Sequence, residues 1–132
     1  MPTNEPIVRD LMRASVIGCA RDTPIPDVAR RMTELDISAL AVVDGDGYLE
    51  GIISRTDLVT LRAHEEYWHG LRAEHVMVRA VLTVTPDTLL TDALKILLTR
   101  KVHRLIVVDH LGERSKPVGV LSITDIVRDM AG

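Results

Sequence analysis

The sequence predicts an α/β (α+β) fold made of two β-α-β-β-α repeats packed about a pseudo-twofold axis. Three observations predict it: an internal repeat, short apolar strands alternating with amphipathic helices, and one strand-to-helix junction that closes each copy. Gly51-Ile52-Ile53-Ser54-Arg55-Thr56-Asp57 returns as Gly119-Val120-Leu121-Ser122-Ile123-Thr124-Asp125. Asp57 and Asp125 stand 68 residues apart, whereas Met12 and Met77, Asp27 and Asp92, Leu40 and Leu105, and Asp44 and Asp109 each stand 65 apart. The three extra residues therefore fall after Asp109, in a surface loop, where added length costs little. Two copies of one unit imply a pair of equivalent sites.

In the first copy Val16-Ile17-Gly18-Cys19 reads as a short strand. Thr23-Pro24 starts a helix, with threonine as cap and proline at the first helical position, where no amide hydrogen is needed. Val28, Met32 and Leu35 supply its apolar stripe at helical spacing. Ala39 to Val43 is almost continuously apolar and so predicts a strand buried on both faces. Asp44-Gly45-Asp46-Gly47 is a hairpin turn, Tyr48 to Ile53 the third strand, and a second helix runs from Arg55. The second copy repeats the order: strand Val81 to Val84, helix Leu89 to Leu98, strands Arg104 to Val108 and Val118 to Leu121, helix Ile123 to Met130. The stretch Leu61 to Gly70 lacks the composition of a free linker and is expected to extend the first copy's second helix. That would line up Leu58, Leu61 and Trp68 as an oligomer contact.

A chain of 132 residues with 46% hydrophobic and 27% charged residues suits one compact domain or two small joined ones. A copy of about 60 residues has a marginal core alone, so the copies are expected to lean on each other. With no Phe, one Trp and two Tyr, the core must be aliphatic. A net charge of −3 gives no general attraction to nucleic acid or anionic lipid. The one cysteine, Cys19, cannot close an internal disulfide, and its apolar surroundings predict a buried thiol in a reducing, cytoplasmic setting. No basic leader with an apolar run follows Met1, and no apolar run approaches the roughly 18 residues of a membrane span.

Ser-x-x-Asp between strand and helix reads first as a capping box, the serine hydroxyl accepting from a free amide and the acid reaching back. The acid is aspartate both times, although Glu or Gln suits the backward reach better. Each motif also carries a glycine three residues before the serine, where a chain segment or ligand can approach closely. Asp57 and Asp125 can each accept from both hydroxyls of a ribose. Ser54 and Ser122, with the first amides of their helices, can hold a phosphate. Lys101-Val102-His103-Arg104 brings three potential cations to the start of a buried strand, where the first copy has Asp36-Ile37-Ser38-Ala39. These cations can simply be solvated; Arg104 can equally grip phosphate in a forked manner, with His103 beside it.

Other motifs fail on spacing. His64 and His69 are five apart, whereas a zinc-protease helix needs a spacing of four to put both on one face. Asp44-Gly45-Asp46-Gly47, placed in a calcium-loop register, would put Val42 and Ile53 at ligand positions. No metal site is expected. No serine has a base nearby in sequence, and no nucleophile-base set assembles, so the chain is not expected to be an enzyme.

These residues resemble a tandem pair of cystathionine beta-synthase (CBS) domains, the unit called a Bateman module. The resemblance is carried by Met12, Thr23-Pro24, Asp27, Ile37 to Asp44 and Gly51 to Asp57, then by Met77, Pro86-Asp87-Thr88, Asp92, Lys101 to Asp109 and Gly119 to Asp125. It gives repeat boundaries of 8–66 and 67–130. Val102-His103-Arg104-Leu105 is similar to the gamma subunit of AMP-activated protein kinase, whose matching histidine and arginine contact phosphate. Ile37-Ser38-Ala39-Leu40 resembles a segment of that subunit lining an adenine pocket. Many members carry proline where this chain has Ala41 and Ile106.

The resemblance implies regulatory binding of an adenosine-containing ligand: AMP, ADP, ATP or S-adenosylmethionine. Adenine would lie near Ile17, Ile37, Ser38 and Ala39, or near Leu82 and His103. Ribose would rest on Asp57 or Asp125, and phosphates would face Ser54, Ser122, His103 and Arg104. No cofactor beyond the ligand is required. Expected partners are a second copy in a homodimer and an unidentified effector protein, with neither nucleic acid nor membrane. The competing reading is a structural adaptor whose ligand clefts no longer work.

Overall fold

A computed structural model of the chain describes residues 4–132. The chain divides into two compact units, one comprising Ile17–Val81, the other the residues up to Val16 together with Leu82–Gly132. In chain order the elements are α1 (Val8–Leu11), β1 (Gly18–Ala20), α2 (Ile25–Leu35), β2 (Ala39–Val43), β3 (Leu49–Ser54), α3 (Arg55–His64), a 3-10 turn (Trp68–Gly70) and α4 (Ala73–Val76). There follow β4 (Thr83–Val84), α5 (Leu90–Thr99), β5 (Arg104–Val108), β6 (Pro117–Ser122) and α6 (Ile123–Met130). Each unit holds one three-stranded sheet, ordered β1-β2-β3 or β4-β5-β6. The first pair in each sheet is parallel and the second antiparallel. A crossing helix returns the chain for a parallel strand, whereas a hairpin reverses it. The β-α-β-β-α order is thus present twice.

In the Ile17–Val81 unit, β2 occupies the expected residues, and Leu40, Ala41 and Val42 are buried. Leu40, Val42 and Ile53 of the sheet pack on Val28 and Met32 of α2. Leu35, expected in the same stripe, is exposed at the helix end. The helix itself starts one residue later than expected, at Ile25, and Thr23 does not cap it. The Thr23 hydroxyl instead accepts from the amide of Ala20 at 3.1 Å, closing the turn that leaves β1. Past the helix end, Asp36 takes a left-handed φ of 50°. The Ile37 amide then donates to the Met32 carbonyl at 3.0 Å, satisfying one of the helix's last carbonyls.

The expected extension of the second helix to Gly70 is not made: α3 stops at His64. The Glu65 carboxylate accepts from the Tyr67 amide at 3.2 Å, a local bond that competes with helix continuation. Leu58, Leu61 and Trp68 therefore do not share one helical face. Trp68 is half-buried, with the Arg62 guanidinium 5.8 Å from its ring centre. Cys19 lies in the core at 5% exposure, as expected, and burial raises its pKa above the ordinary thiol value. Little thiolate is therefore present at neutral pH. Cys19 is expected to react with a maleimide far more slowly in the native protein than in urea; equal rates in a timed mass-spectrometric assay would contradict its burial.

In the other unit, Leu105, Val107 and Leu121 of the sheet pack on Leu90, Ala93 and Leu97 of α5, and Val8 of α1 joins the same core. The α1 segment is fixed by the Val8 amide donating to Thr88 and the Leu90 amide donating to Pro6, both at 2.9 Å. The same pair of bonds recurs in the first unit, from Ala73 to Thr23 at 2.8 Å and from Ile25 to Leu71 at 3.0 Å. The segment that opens each sequence repeat thus packs on the body of the other. The Asp109 carboxylate accepts from the amides of His110 (2.9 Å) and Lys116 (2.8 Å), bridging the neck of the longer loop. The Asp44 carboxylate does the same work in its hairpin, accepting from Asp46 and Tyr48 at 2.9 Å. No helix among the described residues is long and apolar enough to cross a membrane.

Candidate functional site

The two Ser-x-x-Asp junctions are capping boxes in both copies. The Ser54 hydroxyl accepts from the Asp57 amide at 3.1 Å, and Asp57 Oδ2 accepts from the Ser54 amide at 2.8 Å. For Ser122 and Asp125 the two distances are 3.2 and 2.9 Å. The box uses only part of a carboxylate, which has roughly four lone-pair sites. Asp57 is half-buried, and its Oδ1 accepts no hydrogen bond from the described residues. Its Ser54 hydroxyl still has a proton to donate.

Asp125 is held differently. Its side chain is 3% exposed, and Oδ1 lies 3.3 Å from Arg128 Nη1 and 3.7 Å from Arg13 Nε. The Ser122 hydroxyl donates to its Oδ2 at 2.9 Å. Two guanidiniums and a serine thus surround one carboxylate. Arg13 arrives on the strand-like bridge Arg13–Val120, bonded through both backbone groups at 2.9 and 3.1 Å. In the other unit Val78 makes the same bridge, to Ile52. Arg13 and Arg128 were not singled out from sequence; laying the repeats in register shows them, since Val78 and Thr60 occupy the matching places.

Backbone bonds draw the remaining candidates to these junctions. The Arg55 amide donates to the Ser38 carbonyl and the Ile123 amide to the His103 carbonyl, both at 3.0 Å. In strand register Ala39 lies opposite Ser54, and Arg104 opposite Ser122. Ser38, Ala39, Ser54 and Asp57 therefore converge in one unit, and His103, Arg104, Ser122 and Asp125 in the other. Ile17 and Ile37 are half-buried against the first core, and Leu82 against the second. Just before β1 and β4, the Ile17 carbonyl accepts from Ala41 at 3.2 Å and the Leu82 carbonyl from Ile106 at 3.3 Å. Asp36 pairs with Arg55 at 3.0 Å. At the position matching Asp36, Lys101 adopts the same left-handed backbone, with φ 55°.

The glycine of each motif admits a chain segment. A Cβ at Gly51 would stand 2.9 Å from the Met77 thioether. At Gly119 it would stand 2.6 Å from the Arg13 carbonyl and 2.9 Å from the Met12 sulfur. This accounts for Met12 and Met77 recurring in step with the glycines. A shallow groove along α2, lined by Asp22, Thr23, Asp27, Arg30, Arg31 and Glu34, contains none of the candidate residues. Among the described residues no group of three or more His, Cys, Asp or Glu side chains is placed to hold a metal ion.

The chain is 32% identical over 126 residues to the 5'-AMP-activated protein kinase subunit gamma-3 of Sus scrofa and of Homo sapiens, matching 85% of this chain. It spans about a quarter of the length of those subunits (24% and 25%). Among solved structures, the CBS domain pair of protein MJ0100, in complex with 5'-methylthioadenosine and S-adenosyl-L-methionine, superposes with a TM-score of 0.85 at 25% identity, covering 97% of this chain and 98% of that one. CBSX2 in complex with AMP superposes with a TM-score of 0.82 at 29% identity, covering 95% and 96%. The CBS domain matches twice, over residues 8–64 and 73–132. The chain belongs to the CBS domain family and carries two such domains in tandem, the pair called a Bateman module.

Proposed function

We propose that the chain is a regulatory module that binds an adenosine-containing ligand (AMP, ADP, ATP or S-adenosylmethionine) and passes its occupancy to another protein. The observation that carries this reading is the Asp57 junction. One carboxylate oxygen is fixed by the Ser54 amide, while the other is open to a ribose hydroxyl. Two hydroxyls donating to one fixed carboxylate make strong, oriented hydrogen bonds. Half-buried Ile17 and Ile37, with Ser38 and Ala39, lie at the entries to β1 and β2 beside that junction and suit an adenine ring. In the other unit Leu82 takes the adenine role, Asp125 the ribose, and Ser122, His103 and Arg104 the phosphates. The adenosyl ligands held by two solved CBS pairs support the same reading.

We read the module as acting through linkage rather than catalysis. A ligand that prefers one conformation shifts affinity for a partner, and the partner shifts affinity for the ligand by the same factor. We assign this to a cytoplasmic protein working with an effector carried on a separate chain. Self-association as a homodimer is supported by Ile123, Val127 and Met130, which form an exposed apolar row along α6. Half-covered Trp68 is a weaker candidate for that contact. Sedimentation equilibrium should show a dimer that Val127→Glu disrupts; a wild-type monomer would end that assignment.

The binding reading is tested by thermal shift with adenosine, AMP, ATP and S-adenosylmethionine, and by mass spectrometry of whatever co-purifies. A ligand at 100 times its Kd should stabilise the protein by about 2.7 kcal/mol. No shift with any of the four, and no adenosyl compound co-purifying, would favour the adaptor reading.

A further inference from the structure

We propose that the two units sort adenosyl ligands by charge: the Asp125 unit takes an anionic, phosphate-bearing one, the Asp57 unit a neutral or cationic one, and Arg13 sets the difference. The proposal rests on the binding reading above and assigns a ligand class to each of its sites. The two ribose-type acids have the same capping box, so their backbone setting is matched. Their charge setting is opposite. Asp125 Oδ1 faces Arg128 and Arg13, whose side chains are 63% and 55% exposed and so keep a solvent-facing side toward a ligand. The positions matching Arg13 and Arg128 are Val78 and Thr60, which carry no charge.

The imbalance extends along both junctions. In the Asp125 unit Arg13 and Arg128 stand against that one carboxylate, a formal +1, and Lys101 and Arg104 add cationic residues at the entry of β5. At the matching positions the Asp57 unit has Val78, Asp36, Ala39 and Thr60, with Arg55 where the other has Ile123, a formal −1. Arg55 is itself tied to Asp36 at 3.0 Å. A phosphate on the ribose 5' carbon lies within a Debye length, roughly 10 Å, of the acid that holds the diol. It is therefore attracted in one unit and repelled in the other, while a sulfonium group experiences the reverse. The guanidiniums have a second effect at Asp125: they compete with the ribose for Oδ1, which weakens a ligand bringing no negative charge of its own.

The experiment uses the full chain and isothermal titration with AMP, adenosine and S-adenosylmethionine. Asp57→Asn retains an amide acceptor for the helix cap and leaves the Asp125 unit as the working site. In that background AMP should bind at least tenfold more tightly than adenosine, and S-adenosylmethionine binding should be lost. Adding Arg13→Val, the residue its counterpart already uses in the same backbone bridge, should lower the AMP-to-adenosine affinity ratio about tenfold. Arg128→Thr should lower it in the same direction, and Arg13→Lys, which keeps the charge, should restore most of it. An unchanged ratio in both arginine variants, or S-adenosylmethionine still bound by Asp57→Asn, would overturn the sorting while leaving adenosyl binding intact. No binding of any probe by the wild-type chain would overturn both.

Discussion

Gly119→Ala is expected to destabilise its unit by about 3 kcal/mol, and Gly51→Ala its own unit by only about 1 kcal/mol, although the motifs are copies. The difference lies in what the new methyl would meet. At Gly119 the nearest atom is a backbone oxygen, that of Arg13, 2.6 Å away. That oxygen cannot withdraw without breaking the Arg13–Val120 pair, whose bonds are 2.9 and 3.1 Å long, and loosening α1 with its core residue Val8. At Gly51 the close atoms belong to the Met77 side chain, Cγ and Sδ at 2.9 Å and Cβ at 3.0 Å; the flexible thioether re-packs and Cβ has only a small shift to make, at lower cost than parting a backbone pair. Urea denaturation of the two variants measures both numbers. Equal losses would mean that the α1 segment yields as easily as a methionine side chain.

Most of the fold was legible because its signals are local. β2, β5 and α6 have the bounds read from sequence: two are unbroken aliphatic runs between polar ends, and the third opens on a serine cap. The opening strands, read from Val16 and Val81, begin two residues later at Gly18 and Thr83, and two other errors occur where a nearby side chain redirects the backbone. Thr23 and Pro24 promised a capped start, yet the hydroxyl bonds back to Ala20, and the helix begins at Ile25. Leu61 to Gly70 lacks the composition of a free linker, yet the Glu65 carboxylate turns the chain at Tyr67. What pattern reading could not reach is tertiary. No periodicity states that α1 packs in the core of the unit holding the second sheet. That placement is what carries Arg13 to Asp125. The serine and aspartate of each site could be read directly, because the motif is contiguous. The charges that distinguish the two sites come from residues about 110 positions apart and from the far end of α6.

Those charges predict opposite outcomes for the two aspartates. Asp125→Ala should cost folding stability about 2 kcal/mol, more than the roughly 1 kcal/mol of a lost capping interaction, because charge-assisted contacts disappear with it. It should fall short of the 3–5 kcal/mol typical of a broken buried pair, since Arg13 and Arg128 are more than half exposed and regain water. Asp57→Ala should cost only the cap, about 1 kcal/mol. In binding the ranking reverses for a neutral ligand. Asp57 offers an uncommitted oxygen to the ribose, so its loss should weaken adenosine by about 1.5–3 kcal/mol, roughly 10- to 150-fold. 2'-Deoxyadenosine should be similarly impaired with the wild-type chain yet lose little more with Asp57→Ala, because the missing contact is shared. Chemical denaturation and calorimetry on both variants separate the roles. Adenosine affinity unchanged by Asp57→Ala would leave that carboxylate with nothing but the helix cap to explain it.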